Sequence, residues 1–318
     1  MPIYQGGQVK LSSGLAGTFM GAVERVQNVK IDVNLPRVNV GVMNKSKPLS
    51  QRPIINYTPV DFSFDFVKSN ISIETMLGLV NTTGITAGMT DARTLGNSFA
   101  VRNAQVYFAP TASNTYNGLL DLKSGVLTNY SIQGSISEPV RGSVGMQFFD
   151  MSGSINNTAR DSTAYGAQIV KPEGTYLTGI LFTGYGITGV NIQSFSLGVG
   201  FNRTQVFQLG GTPFPVDRPM TEATATLQVQ GYFEGVNNSM TGLSQYSCGD
   251  PTYGNVYLTL LSSCSSAGPT TYTMVNPYLD SQSLDGQVGG FSTCSFSFSL
   301  PLPINPSDTA DGSLLSIT

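Results

Sequence analysis

Two blocks of this sequence recur, and the recurrence constrains the fold more than any single motif. Val26-Gln27-Asn28-Val29-Lys30-Ile31 returns as Ile192-Gln193-Ser194-Phe195-Ser196-Leu197, an offset of 166. At that offset Arg37 meets Arg203, and Arg52-Pro53 meets Arg218-Pro219. Leu127, Ser131, Ile132, Gly134 and Ile136 return as Leu279, Ser283, Leu284, Gly286 and Val288, an offset of 152. Phe62 and Phe64 come into phase with Leu227 and Val229 only after a one-residue slip. Such a slip turns a strand inside out, so an insertion, deletion or bulge must lie there. The repeat predicts two homologous domains, 1–165 and 166–318, joined by a Gly/Thr-rich stretch near Gly174 to Gly189. The second copy carries an inserted loop at about 235–277.

The repeated blocks alternate. Val29, Ile31, Val33 and Leu35 are interleaved with polar residues, as are Val60, Phe62, Phe64 and Phe66. The same holds around Tyr130 and Ile132, Val144 to Phe148, Phe195 to Phe201, Leu227 and Val229, and Cys294 to Leu300. Period-2 alternation means strands with one buried and one polar face. A helix is predicted only near Ile71 to Val80, capped by Ser69 or Asn70, with Glu74 in its first turn. The class is all-β, two tandem β-barrel or sandwich domains with one or two short helices.

Composition narrows the function. Only 11% of residues are charged, and the net charge is −3, against about 25% charged in an average soluble domain. A basic nucleic-acid binder is excluded. Disorder is excluded by 40% hydrophobic residues. A folded chain with so few charges covers its surface with something else, and copies of itself are the simplest candidate. The Met1 to Gly7 opening lacks a basic and an apolar region, so no secretory signal is expected. No apolar run approaches the ~18 residues of a membrane span. The expectation is a soluble chain made in a cytoplasm. Cys248, Cys264 and Cys294 form neither a disulfide framework nor a metal spacing. A Cys248–Cys264 bridge stays open, with reduced thiols favoured.

Catalytic motifs fail. The chain has no His, which removes the commonest general base and the Ser-His and Cys-His nucleophile pairs. Gly184-Tyr185-Gly186-Ile187-Thr188-Gly189 fits a dinucleotide-binding spacing, but an alternating strand follows it where a helix is required. Asp61 and Asp65 share a strand face and read as solvated polar residues more readily than as paired catalytic carboxylates. No enzyme, cofactor or metal site is expected.

Each half also carries a long stretch between its first two strands, with arginines 15 residues apart in both: Arg37 to Arg52, and Arg203 to Arg218. Long loops are usually functional or disordered. Phe207, Leu209 and Phe214, with the Pro and Arg residues, argue for order against a partner.

Ile192 to Ser196, then Arg203, Leu209-Gly210, Pro215 and Arg218-Pro219, resembles the tail tube and major tail proteins of tailed bacteriophages. Leu127 to Ile136 is similar to that family's strand leading into a polar-alternating pair. The resemblance covers most of each half as pattern; two copies and the Cys-bearing segment depart from the simplest members. It implies a virion structural protein forming a hollow tube of stacked rings through which double-stranded DNA passes, with tail sheath, tape measure and tail terminator proteins as further partners. It implies that Arg37, Arg52, Pro53, Arg203, Phe207, Leu209, Phe214, Arg218 and Pro219 lie in inter-ring or inter-subunit loops. Rings of this family usually close with six domains, so two domains per chain imply a trimer. Candidates for the lumen are Lys30, Asp32, Asn34, Asp61, Ser63, Asp65, Ser194, Ser196, Gln228 and Gln230; the same face could meet bulk solvent or a sheath. A host-binding fibre or baseplate protein would show aromatic platforms, and this chain has no Trp. A capsid decoration protein has no need for a duplicated Arg-to-Arg-Pro loop.

Overall fold

The computed structural model describes residues 4–13, 19–23, 25–33, 59–69, 72–77, 79, 102–110, 115–116, 118–154, 158–159, 174–204, 220–233, 254–262, 269–286, 292–302 and 314–317. The chain starts with β1 (Tyr4–Ser13), β2 (Phe19–Ala22), β3 (Val26–Val33) and β4 (Val60–Val67), then a short helix α1 (Ser72–Met76). Next come β5 (Arg102–Pro110), β6 (Thr115–Tyr116), β7 (Gly118–Ser135), β8 (Arg141–Phe148), β9 (Asp150–Ser154) and β10 (Thr158–Ala159). The remainder adds β11 (Thr175–Thr183), β12 (Val190–Arg203), β13 (Met220–Phe233) and β14 (Asn255–Ser262). It closes with β15 (Thr270–Val275), β16 (Tyr278–Asp285), β17 (Ser292–Leu302) and β18 (Leu314–Ile317).

The largest sheet runs β3-β4-β8-β7-β12-β13-β17-β16, antiparallel throughout. Its left four and right four strands have the same internal order. β3 pairs with β4, β4 with β8 and β8 with β7; likewise β12 pairs with β13, β13 with β17 and β17 with β16. The registers match as well. Ile31 faces Phe62 and Phe62 faces Met146; Leu197 faces Leu227 and Leu227 faces Phe298. The ladders break between Val26 and Asn28 and between Ile192 and Ser194, positions 166 apart. They break again between Leu127 and Asn129 and between Leu279 and Ser281, 152 apart. β3 and β12 align at an offset of 166 and β4 and β13 at 165, so the slip seen in the sequence falls between Val33 and Val60 in one set and between Val199 and Ala225 in the other.

Two smaller sheets repeat the pattern. One runs β1-β5-β7-β9, with β2 added outside β1; the other runs β11-β14-β15-β18. β7 serves two sheets: its first half pairs with β5 and β9, its second with β8 and β12. The switch occurs at Ser124, whose φ is 56° and whose N–H donates to Asn103 Oδ1 at 3.0 Å. Gly125 follows because a Cβ there would lie 2.2 Å from the Phe148 ring. Asn276, 152 residues after Ser124, has φ 53° and divides β15 from β16 in the same way.

Apolar faces of these three sheets form one core that includes Phe62, Phe64, Phe66, Phe148, Phe296 and Phe298; β6 and β10 pair apart as a two-stranded sheet. Phe182 of β11 lies 5.6 Å from the rings of both Phe296 and Phe298, tying the four-stranded sheet to the large one. Each such ring contributes about 1.5–3 kcal/mol by leaving water.

Several expectations are corrected. Of the expected barrel or sandwich, the barrel is not seen: among the described residues the sheets are antiparallel and open. The Gly/Thr-rich junction contains strand β11, whose Tyr176, Leu177, Ile180 and Phe182 pack against β14 or the core. The segment read as an inserted loop supplies strands β14 and β15. The expected short helix forms over five residues with Glu74 in its first turn, and the Glu74 side chain is buried.

Candidate assembly surface: a polar sheet face and two open edges

Alternation gives the large sheet one face that takes no part in the core. Lys30, Asp32, Asp61, Ser63, Asp65, Ser194, Ser196, Gln228 and Gln230 all lie on it, opposite Val29, Ile31, Phe62, Phe64, Phe195, Leu197, Leu227 and Val229. Asn34 lies outside the described residues. Cross-strand rows run uninterrupted over the face: Asp65, Ser143, Ser131, Gly198, Thr226 and Ser299 form one of them.

The polar groups hydrogen-bond laterally. Asn202 Nδ2 donates to Glu222 at 3.1 Å, Ser299 Oγ to Asp280 at 2.9 Å, and the Ser283 and Ser295 hydroxyls lie 2.6 Å apart. Lys30 Nζ sits 2.6 Å from Asp32, and the hydrogen bond and charge of that carboxylate raise the pKa of the amine. The described strand residues of the face carry the cations Lys30 and Arg141 against the carboxylates Asp32, Asp61, Asp65, Glu222, Asp280 and Asp285. Such a surface holds water and repels a polyanion mildly; it offers no phosphate-binding stripe. Among the described residues no three His, Cys, Asp or Glu side chains converge on a point where a metal could sit. Cys294 is a free, buried thiol, its pKa pushed up by burial; Cys248 and Cys264 lie outside the described residues.

The seam between the two strand sets is the pairing of β7 with β12, from Ser135 opposite Ser194 to Asn129 opposite Gly200. It extends past the strand end, where the Ile136 N–H donates to Gln193 O at 2.9 Å. Arg203 crosses it: its Nε donates to Leu127 O at 3.2 Å, and burial lowers its pKa to about 10. Arg37, Arg52, Pro53, Phe207, Leu209, Phe214, Arg218 and Pro219 lie outside the described residues.

At its two ends the same sheet presents β3 and β16 with no further strand paired to them among the described residues. One apolar residue on each is exposed where its seam counterpart is covered. Leu284 on β16 is 57% exposed, and Ile132, 152 residues earlier on β7, is 0%. Val33 on β3 is 45% exposed, and Val199, 166 residues later on β12, is 2%.

A second constellation escaped the sequence. Lys68, at the end of β4, and Glu74, on α1, form an ion pair of 2.5 Å with both side chains fully buried. Tyr130 and Tyr272 donate to the same Glu74 oxygen, and Lys68 Nζ lies 5.4 Å over the Tyr272 ring. Burial pushes the Glu74 carboxyl up, but the Lys68 charge and the three hydrogen bonds outweigh it and hold it below the usual carboxylate value. Burial drives both tyrosines well above theirs. Tyr130 is on β7 and Tyr272 on β15, so the cluster ties the large sheet to the four-stranded one. Alternation marks Tyr130 as inward-facing, but nothing local in the sequence connects partners 56 and 198 residues away from Glu74.

No family model matches this sequence, and no curated protein matches it.

Proposed function

We propose that the chain is a non-catalytic structural subunit of a hollow tube, the tail tube of a bacteriophage, built from rings in which each chain contributes two homologous units. The observation that carries this reading is the repetition of one strand order, register and set of ladder breaks, side by side in one sheet. A sheet made of equal units joined head to tail has the same joint available at its free ends. Joints of that kind generate rings when their rotation closes and filaments when it does not. Closure also removes both open edges, which otherwise invite uncontrolled pairing.

In this reading the units are 1–165 and 166–318, and three chains complete a ring of six. The polar face lines the bore, where a hydrated, mildly acidic lining lets DNA slide without binding. The connections at 35–53 and 201–219 make the contacts between rings. Electron microscopy of the purified protein tests the proposal: it assembles into hollow tubes with a continuous bore. A protein that stays monomeric at high concentration, or forms solid fibres or flat sheets, contradicts it.

A further inference from the structure

We infer that β16 of one chain pairs antiparallel with β3 of the next in a single register, which sets Lys30 opposite Asp285 and Ile31 opposite Leu284. This rests on the ring reading above and specifies its joint. In the internal seam Ser196 faces Gln133, Leu197 faces Ile132 and Val199 faces Tyr130. The strand sets are related by an offset of 166 from β3 to β12 and of 152 from β7 to β16, as their shared ladder breaks require. Carrying the seam by those offsets to β3 and β16, which pair with no further strand among the described residues, replaces Ser196 and Gln133 with Lys30 and Asp285. Leu197 and Ile132 become Ile31 and Leu284, and Val199 and Tyr130 become Val33 and Gln282.

The transfer used only positions, yet it brings opposite charges together on the polar face and sets the exposed Leu284 against the half-buried Ile31 on the other. Directly opposed unlike charges and apolar pairs stabilise an antiparallel ladder, and like charges destabilise it. Neighbouring registers fare worse. A slip of two residues one way sets Asp32 against Asp285; a slip the other way leaves Lys30 against Ser283. A slip of one turns Leu284 towards the polar face. Lys30 already holds Asp32 at 2.6 Å, so in the joint the amine lies between two carboxylates. The internal seam, formed within one chain, needs no such discrimination and carries neutral residues at that pair.

Charge reversal tests the register. Lys30→Asp and Asp285→Lys are each expected to raise the critical concentration for assembly several-fold in sedimentation velocity. The double variant is expected to restore it to near the unmodified value. A second measurement reads the pairing directly: chains carrying Lys30→Cys, mixed with chains carrying Asp285→Cys, form a disulfide-linked dimer on mild oxidation. A mixture of Lys30→Cys with Ser283→Cys chains does not. Tubes that form normally in both single charge variants, or that crosslink through residue 283 in preference to 285, overturn the register and leave the tube reading standing. Unmodified protein that does not assemble, together with cysteine variants that crosslink at neither 285 nor 283, overturns both.

Discussion

Glu74 accepts hydrogen bonds from Lys68, Tyr130 and Tyr272 on one oxygen in a fully buried site. Breaking a buried pair from one side leaves the other charge uncompensated, at a cost of about 3–5 kcal/mol. Glu74→Gln, which keeps the shape and removes the charge, is therefore expected to lower unfolding free energy by roughly that amount, read from urea midpoints. The cluster also sets a pH window. The folded Glu74 pKa lies below its unfolded value, so its contribution is complete above the usual carboxylate range and fades as pH falls through the folded value. The folded Tyr130 and Tyr272 values lie above theirs, so their contribution is complete below the ordinary tyrosine value and fades as pH rises past it. Urea midpoints measured against pH should be flat across neutrality and fall on both sides, and Glu74→Gln should flatten the acid limb. An unchanged acid limb in that variant would remove Glu74 from the account.

The elements divide into those whose pattern the sequence displays and those it conceals. β3, β4, β8, β12, β13 and β17 were legible because one face is core and the other polar, so each residue reports its side. β11 was not: Ile180, Leu181 and Phe182 are consecutive apolar residues after Gly179, and the ladder shifts between Leu177 and Gly179. β14 has Leu258, Leu260 and Leu261, which also breaks the alternation, so the segment reads as an inserted loop in the sequence. The repeat still recorded the geometry that alternation hid. Ser124 and Asn276 stand at the same kink with φ near 55°, although neither is glycine and neither lies in a recurring sequence block. A β-branched residue tolerates that conformation poorly. Asn276→Val is expected to destabilise by about 1–2 kcal/mol and Asn276→Gly by far less, measured by thermal or urea unfolding. Equal losses for the two would mean that the Asn276 side chain, not its backbone, matters.

For the whole molecule, low charge, an acidic polar face and exposed apolar side chains at both sheet ends have one common cause if neighbouring copies cover the ends and water fills the face. A chain of 11% charged residues is then suited to its assembled form more than to a free one. The two strand sets are equal in order and register, and their seam can be repeated between chains without altering either set. The symmetry of the assembled ring tests this most directly. Image averaging of end-on views should give three chains per ring, with a lumen that looks sixfold at low resolution and proves threefold when β3–β16 joints are told apart from β7–β12 seams. Six chains per ring, with one strand set lining the bore and the other projecting outward, would contradict the account.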